Sequence, residues 1–209
     1  MSKLNIFLLL TVICLLIFAN TNASGAVSIE KNSAPSITNT PTPSPTPTPI
    51  AGLPKKLIIP KIQVDTELEY MGVDPDGAMQ VPQDWNKAGW FSGGIRPGEI
   101  GKAAIDGHFD TDTGMPAVFW NLGQLNPGDE IKILDDRNKI YTFIVQTKQN
   151  HEYDKFPLNE LIGKSNKKEL NIVTCTGYWN FETNNYSHRM LITTELSKVE
   201  NIQSSSPSY

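Results

Sequence analysis

The chain has 209 residues, 39% of them hydrophobic and 19% charged, with a formal net charge of −4. That length allows one ordinary domain plus a leader and a linker, with enough apolar residues to bury a core. The acidic balance argues against a nucleic-acid-binding surface, which is normally basic. Fifteen glycines and fifteen prolines, with few long helical periods, favour a turn-rich β fold.

Residues 1–25 read as a signal peptide or an N-terminal membrane anchor. Lys3 supplies a small positive region, and Ile6 to Ala19 is apolar apart from Thr11. That core is shorter than the about 20 residues of a comfortable membrane span and suits a signal peptide. Small residues around Ala23 to Ala26 offer cleavage sites, and either outcome places the domain outside the cytoplasm. Residues 26–53 form a Thr/Pro-rich linker. Proline occupies every second position from Pro41 to Pro49, so this piece is expected to be an extended spacer of ~3 Å per residue.

Residues 54–198 carry the domain. Leu57 to Val64 is a β-type run broken by Pro60, which suits an edge or bulged strand. Leu68 to Val73 is followed by the turn Asp74-Pro75-Asp76-Gly77, then by brief runs at Met79 to Pro82 and at Trp90-Phe91. Ala103 to Ile105 leads into Gly107-His108. Between Asp112 and Leu125 an apolar group predicts a short helical turn. Pro127-Gly128-Asp129 then turns the chain into Glu130 to Leu134, which alternates as a half-buried strand does. Asp135 to Asn138 reads as a hairpin turn into Ile140 to Gln146. Pro157 to Ile162 predicts one short helix before the strand Leu170 to Cys175. Short strands separated by turns, without a βαβ rhythm, predict a small β-barrel or sandwich. Residues 199–209 are expected to be a flexible tail.

Of the two cysteines, Cys14 lies in the leader, so the domain holds one thiol and no internal disulfide. Alternation puts Asn171, Val173 and Cys175 on one strand face, with Cys175 expected at the strand end beside a loop. A buried, inert cysteine is the commoner fate. A thiol becomes a nucleophile when a nearby cation favours its thiolate. Arg189 opens the next apolar run, Met190-Leu191-Ile192, where a guanidinium can stabilise an oxyanion. Of the three histidines, His108 follows an apolar run and a glycine, with Asp106 and Asp110 near in sequence. His151 reads as a solvated loop residue, and His188 should point away from the face that holds Arg189. The aspartates form no EF-hand loop.

The order His108, Cys175, Arg189 resembles the sortases, bacterial cysteine transpeptidases of the cell envelope. The supporting segments are Leu57-Ile58-Ile59-Pro60-Lys61-Ile62, Gly107-His108-Phe109-Asp110, Leu170 to Cys175 and Tyr186-Ser187-His188-Arg189. The likeness spans Pro54 to Lys198 and looks closest to the class D, E or F sortases. The family's TLxTC motif reads Asn171-Ile172-Val173-Thr174-Cys175 here, with Asn171 in place of a threonine. The resemblance implies a mainly all-β fold, a closed barrel of about eight strands with short helices in its connections. It implies that Cys175 attacks an LPXTG-like sorting signal between threonine and glycine, that His108 protonates the leaving amine, and that Arg189 stabilises the oxyanion. The acyl-thioester then passes to an amine of a peptidoglycan precursor or a pilin lysine, or to water. No metal or organic cofactor is required. The chain is expected to act as a monomer at the cell surface, attached to the membrane by the N-terminal segment if that stays uncleaved.

Two alternatives stand beside this reading. One is an exported thiol hydrolase or an L,D-transpeptidase, although the latter normally has an arginine almost directly after its cysteine, where Thr176-Gly177-Tyr178 stand here. The other is a non-catalytic β-barrel binding module, which requires Cys175 to be buried and unreactive.

Overall fold

Strict alternation along the apolar runs gives each strand one face for a core and one for its surroundings. In Glu130–Asp135, Ile131 and Ile133 are fully buried, while Lys132 and Glu130 pair outside at 2.9 Å. Each aliphatic side chain buried in this way contributes about 1.5–3 kcal/mol. The computed structural model describes residues 51–75 and 77–202. The expected leader and nearly all of the expected linker lie outside the described residues, as does most of the expected tail.

Eight strands result: β1 (Pro54–Ile59), β2 (Val64–Met71), β3 (Ala88–Phe91), β4 (Gly101–Gly107), β5 (Glu130–Asp135), β6 (Lys139–Glu152), β7 (Lys168–Asn180) and β8 (Asn185–Asn201). They close into a barrel in the order β1-β2-β3-β4-β7-β8-β6-β5. Closure removes the exposed edges that an open sheet of this size would carry. The β2–β3 and β4–β7 pairs are parallel and the rest antiparallel. Inside lies one core that includes Leu57, Ile59, Ile105, Phe143, Ile172 and Ile192. A smaller second cluster sits on the outer face. There Ala104, Val173 and Leu191 are covered by Leu161, Phe156 and Ile162 from the β6–β7 connection, with Phe91 beside them. That connection contains the one short α-helix among the described residues, α1 (Leu158–Leu161), within the span where a helix is expected.

Four local features differ from the sequence expectations. The run around Pro60 is two strands: β1 stops at Ile59, Pro60–Ile62 form a 3-10 turn, and Gln63 takes a left-handed conformation before β2. Proline has no N–H to continue the ladder and a preset φ that starts such a turn. Strand β6 extends to Glu152 because β8 is long enough to pair with all of it. Strand β7 continues five residues past Cys175, to Asn180. Strand β8 reaches Asn201, three residues beyond Lys198. The β5–β6 hairpin follows expectation. The Asp135 carboxylate accepts from the Arg137 and Lys139 N–H groups (2.9 and 2.8 Å) and the Tyr141 hydroxyl (3.1 Å), while Asn138 has φ 59°.

Candidate active site

The strand register brings three of the singled-out residues into one row. Cys175 is the direct cross-strand partner of Arg189 in the β7–β8 ladder. In the parallel β4–β7 ladder Asp106 pairs with Val173. One step further, the Thr174 hydroxyl donates to the Gly107 carbonyl at 2.7 Å. Continuing this register sets His108, the first residue after β4, alongside Cys175. Val173 and Leu191 belong to the outer cluster, whereas Ile172 and Ile192 face the barrel interior. Two-residue periodicity therefore puts Cys175, Arg189, Asp106 and His108 on the outer face. Cys175 is half-buried there, not sealed in the core.

His108 is held from both sides. Its backbone carbonyl accepts the Phe119 N–H at 2.9 Å, and Phe119 fills the space where Gly107 lacks a side chain. A Cβ at Gly107 would collide with the Phe119 ring, which is why a glycine precedes this histidine. The ring packs against Trp85 with centroids 4.3 Å apart and planes tilted by 57°, and Nε2 lies 2.8 Å from the Pro82 carbonyl. A carbonyl only accepts, so Nε2 carries hydrogen and Nδ1 is the basic nitrogen left free for proton transfer.

Arg189 is gripped by the end of the β7–β8 turn. Its guanidinium donates to the Tyr186 and His188 carbonyls at 3.3 and 3.1 Å and to Asn185 Oδ1 at 2.7 Å. It also lies 6.0 Å from the centre of the Tyr153 ring. The β7–β8 ladder carries a bulge just past Cys175. Gly177 there has φ 87°, and a Cβ would collide with the Ser187 hydroxyl. A side chain at that position is strained in both respects.

Opposing effects act on the Cys175 thiol. Burial pushes it up, the Arg189 guanidinium pulls it down, and the Asp106 and Asp110 carboxylates add to the upward push. Asp106 is itself perturbed. Loss of solvent raises its carboxyl to about 7, against the pull of the Gly107 N–H and Arg189. Asp110 accepts a hydrogen bond from the Tyr186 hydroxyl, and burial together with this carboxylate pushes Tyr186 up to about 12.

The other histidines divide. His188 pairs with Thr176 next to Arg189, so alternation turns it to the opposite face, and its Nδ1 lies 2.8 Å from the Ser187 hydroxyl. His151 is not in a solvated loop. It lies in β6 directly opposite Arg189, with its ring 5.8 Å from Phe156 and a buried Nε2 without a hydrogen-bond partner. Sequence reasoning missed three structural supports: Pro82 and Trp85 around His108, and Asn171. Asn171 is fully buried, and its side-chain amide donates to the Glu160 and Leu161 carbonyls at 2.7 and 3.2 Å. It thereby ties the α1 cover to β7. Among the described residues no cluster of three His, Cys, Asp or Glu is placed to hold a metal, and no helix is long and apolar enough to cross a membrane.

Residues 57–197 match the family model described as Sortase domain. No curated protein sequence matches the chain. Among solved structures, a Clostridium perfringens sortase D transpeptidase is 26% identical, covering 72% of this chain and 83% of its own, with a TM-score of 0.52. The SrtA sortase from Actinomyces oris is 19% identical over 77% of this chain and 88% of its own, with a TM-score of 0.56. Sortase C from Streptococcus pneumoniae, described in terms of pilin substrate specificity, is 21% identical. It covers 68% of this chain and 65% of its own, with a TM-score of 0.51.

Proposed function

The chain belongs to the sortase family and is a cysteine transpeptidase, and we propose that His108, Cys175 and Arg189 carry its reaction at the bacterial cell surface. The observation that carries this assignment is the pairing of Cys175 with Arg189 in one ladder row, with His108 next in register on the same outer face.

In the first half-reaction the Cys175 thiolate attacks the carbonyl between threonine and glycine of an LPXTG-like sorting signal. Negative charge develops on that oxygen. Arg189, held in place by Asn185 and two backbone carbonyls, stabilises that charge. The protonated His108 imidazole gives its proton to the leaving amine through Nδ1. The C–N bond breaks and a thioester remains on Cys175. In the second half-reaction an amine attacks the thioester, the sulfur leaves as thiolate, and the proton returns to His108. The thiolate–imidazolium pair is the reactive form. Its two titrations are coupled, so the fraction of enzyme in that form belongs to the pair.

The donors are proteins with sorting signals, and the acceptor is an amine on a peptidoglycan precursor or a pilin lysine. Residues 1–25 act as the export signal or membrane anchor, 26–53 as the spacer, and 54–198 as the catalytic barrel.

The test is to incubate the full chain with a panel of LPXTG-like peptides plus an amine and read the products by mass spectrometry. An acyl adduct on Cys175 with amine-capped product is expected. An adduct that yields only free acid assigns the chain to hydrolysis. No adduct on any peptide, with slow alkylation of Cys175, removes the active-site assignment.

A further inference from the structure

Among the described residues, one buried side-chain polar atom has no hydrogen-bond partner: Nε2 of His151. Folded proteins pair nearly all such atoms, because a bond left unmade in a dry site costs stability. The ring is met edge-on by Phe156, with centroids 5.8 Å apart. Phe156 belongs to the apolar cover that packs on Ala104, Val173 and Leu191. An aromatic or aliphatic side chain would suit these surroundings better than an imidazole does, and the acyl-transfer steps make no use of this histidine.

The position of His151 in the sheet points to what it serves. It is the direct partner of Arg189 in the β6–β8 ladder, and Arg189 is the direct partner of Cys175 in the β7–β8 ladder. Directly opposed residues have their Cα atoms about 4.5–5.5 Å apart and their side chains on one face. Arg189 therefore stands between Cys175 and His151 on the outer face. At rest its guanidinium is turned along β8 toward the β7–β8 turn. There Nη2 donates to Asn185 Oδ1 at 2.7 Å, and Nη1 donates to the Tyr186 and His188 carbonyls at 3.3 and 3.1 Å. The two carbonyl bonds are the longer ones. The oxyanion forms on the carbon that Cys175 has attacked, so a guanidinium that meets it brings one edge toward β7 and leaves those carbonyls. Its opposite edge then faces β6, where the acceptor without a partner is His151 Nε2. That atom is closed off from solvent, so a donor peptide arriving from solution does not reach it, whereas Arg189 starts from the neighbouring position in the sheet.

We propose that His151 is the positioning residue of Arg189: with its hydrogen on Nδ1, it accepts a guanidinium N–H through Nε2 while the opposite edge of the guanidinium holds the oxyanion. The inference rests on the transpeptidase reading and deepens it by naming the group that orients the arginine. No covalent bond changes at His151 and no proton leaves it. The bond is charge-assisted and forms where no water competes, and both conditions strengthen it. Once the thioester has formed, the negative charge is gone and the guanidinium returns to the carbonyls of the turn.

The test compares His151→Phe, His151→Leu and His151→Gln in the full chain. Phenylalanine and leucine fill the space without an acceptor, leucine with less crowding of Phe156, whereas glutamine keeps an acceptor oxygen at a similar reach. Single-turnover acylation of Cys175 by an LPXTG-like peptide is followed by mass spectrometry over a range of donor concentrations, and melting temperatures are measured beside it. The two apolar variants should acylate about tenfold more slowly at saturating donor, with the half-saturating concentration changed less than about twofold. Their melting temperatures should equal or exceed that of the wild type, since an unpaired buried nitrogen has been removed. His151→Gln should regain most of the rate. In an Arg189→Gln background the same apolar substitutions should cost less than about twofold, because the arginine they misplace is gone. The proposal is overturned if the apolar variants acylate at the wild-type rate, if their loss is as large without Arg189, if His151→Gln is as slow as they are, or if the loss lies in donor binding alone. Absence of any acyl-enzyme in the wild type overturns the transpeptidase assignment itself, and this inference with it.

Discussion

The hydroxyl of Thr174 donates to the carbonyl of Gly107 across 2.7 Å, in the buried seam between the strand that carries Cys175 and the one that leads to His108. Each directly precedes one of the pair in the chain, so this bond fixes the position of Cys175 relative to His108. Thr174→Val keeps shape and β propensity but leaves a buried carbonyl without its partner. The expected cost is about 1–3 kcal/mol, with a drop in melting temperature of several degrees. Acylation of Cys175 should slow about tenfold, because a sub-ångström shift of either strand separates the pair. Thr174→Ser should restore most of both. Full activity in Thr174→Val would leave the bond with a purely structural role.

Arg189 has two effects that one variant separates from simple folding damage. In its proposed role as the oxyanion partner, its loss in Arg189→Gln should lower the acylation rate about 10²–10³-fold. As the cation that pulls the Cys175 thiol down, its loss should also move the pH profile of Cys175 alkylation to higher pH. Arg189→Lys should recover the profile more than the rate. A lysine supplies charge but not the planar fork that spans Asn185 Oδ1 and two carbonyls. A profile that stays in place in Arg189→Gln would contradict the electrostatic coupling.

Asp106 acts with the opposite sign. Its carboxylate adds to the upward push on the thiol, so Asp106→Asn should shift alkylation of Cys175 to lower pH. Stability should respond as well. The Asp106 carboxyl sits at about 7 in the folded chain and near 3.9 when unfolded, so between those values the folded state holds a proton that the unfolded state has released. Its contribution is therefore fully present below pH ~4 and is lost as pH rises through about 7. Asp106→Asn should gain on the wild type in urea midpoint between pH 5 and pH 8, the larger gain being at the alkaline end. A constant difference across that range would show that burial of the carboxylate is not the cause.

The strands and turns were largely legible because each depends on local signals. Ile131 and Ile133 alternate with polar neighbours, Pro127-Gly128 and Asp135 to Asn138 mark turns, and a short helix falls at Leu158–Leu161. The residues of the row were legible through cysteine count and strand alternation, and their grouping through family resemblance. What stayed hidden depends on register between distant strands. His151 looks like a polar loop residue until β8 extends β6 past it and sets it opposite Arg189. Pro82 and Trp85 support His108 from about a quarter-century of positions upstream, at a separation of 26 residues for Pro82, and no periodicity announces such a contact. The end of β7 was missed because an exposed aromatic and polar stretch resembles a loop, yet it pairs with β8 around the Gly177 bulge.

Asn171 is where the chain departs from the motif that it otherwise resembles, and its contacts explain what asparagine adds. One amide group donates to two consecutive carbonyls of the α1 segment, and its oxygen accepts the Thr194 N–H at 3.4 Å. A threonine has a single hydroxyl proton and a shorter reach, so it cannot make the pair of donations. Asn171→Thr should leave one α1 carbonyl unpaired, costing about 1–3 kcal/mol in the buried seam. The α1 cover lies over Val173 and Leu191, two residue pairs along the ladder from the Cys175–Arg189 row and on the same face, so loosening it should disturb the surface beside the proposed donor site. The expected kinetic signature is a raised KM for the donor with a smaller change in kcat, since the reacting groups keep their own supports. Hydrogen exchange should quicken at the amide of Ile162, which donates to the Leu158 carbonyl, while β4 stays protected. Equal loss in kcat and unchanged exchange at Ile162 would instead place the effect in the catalytic row, transmitted along β7 rather than through its cover.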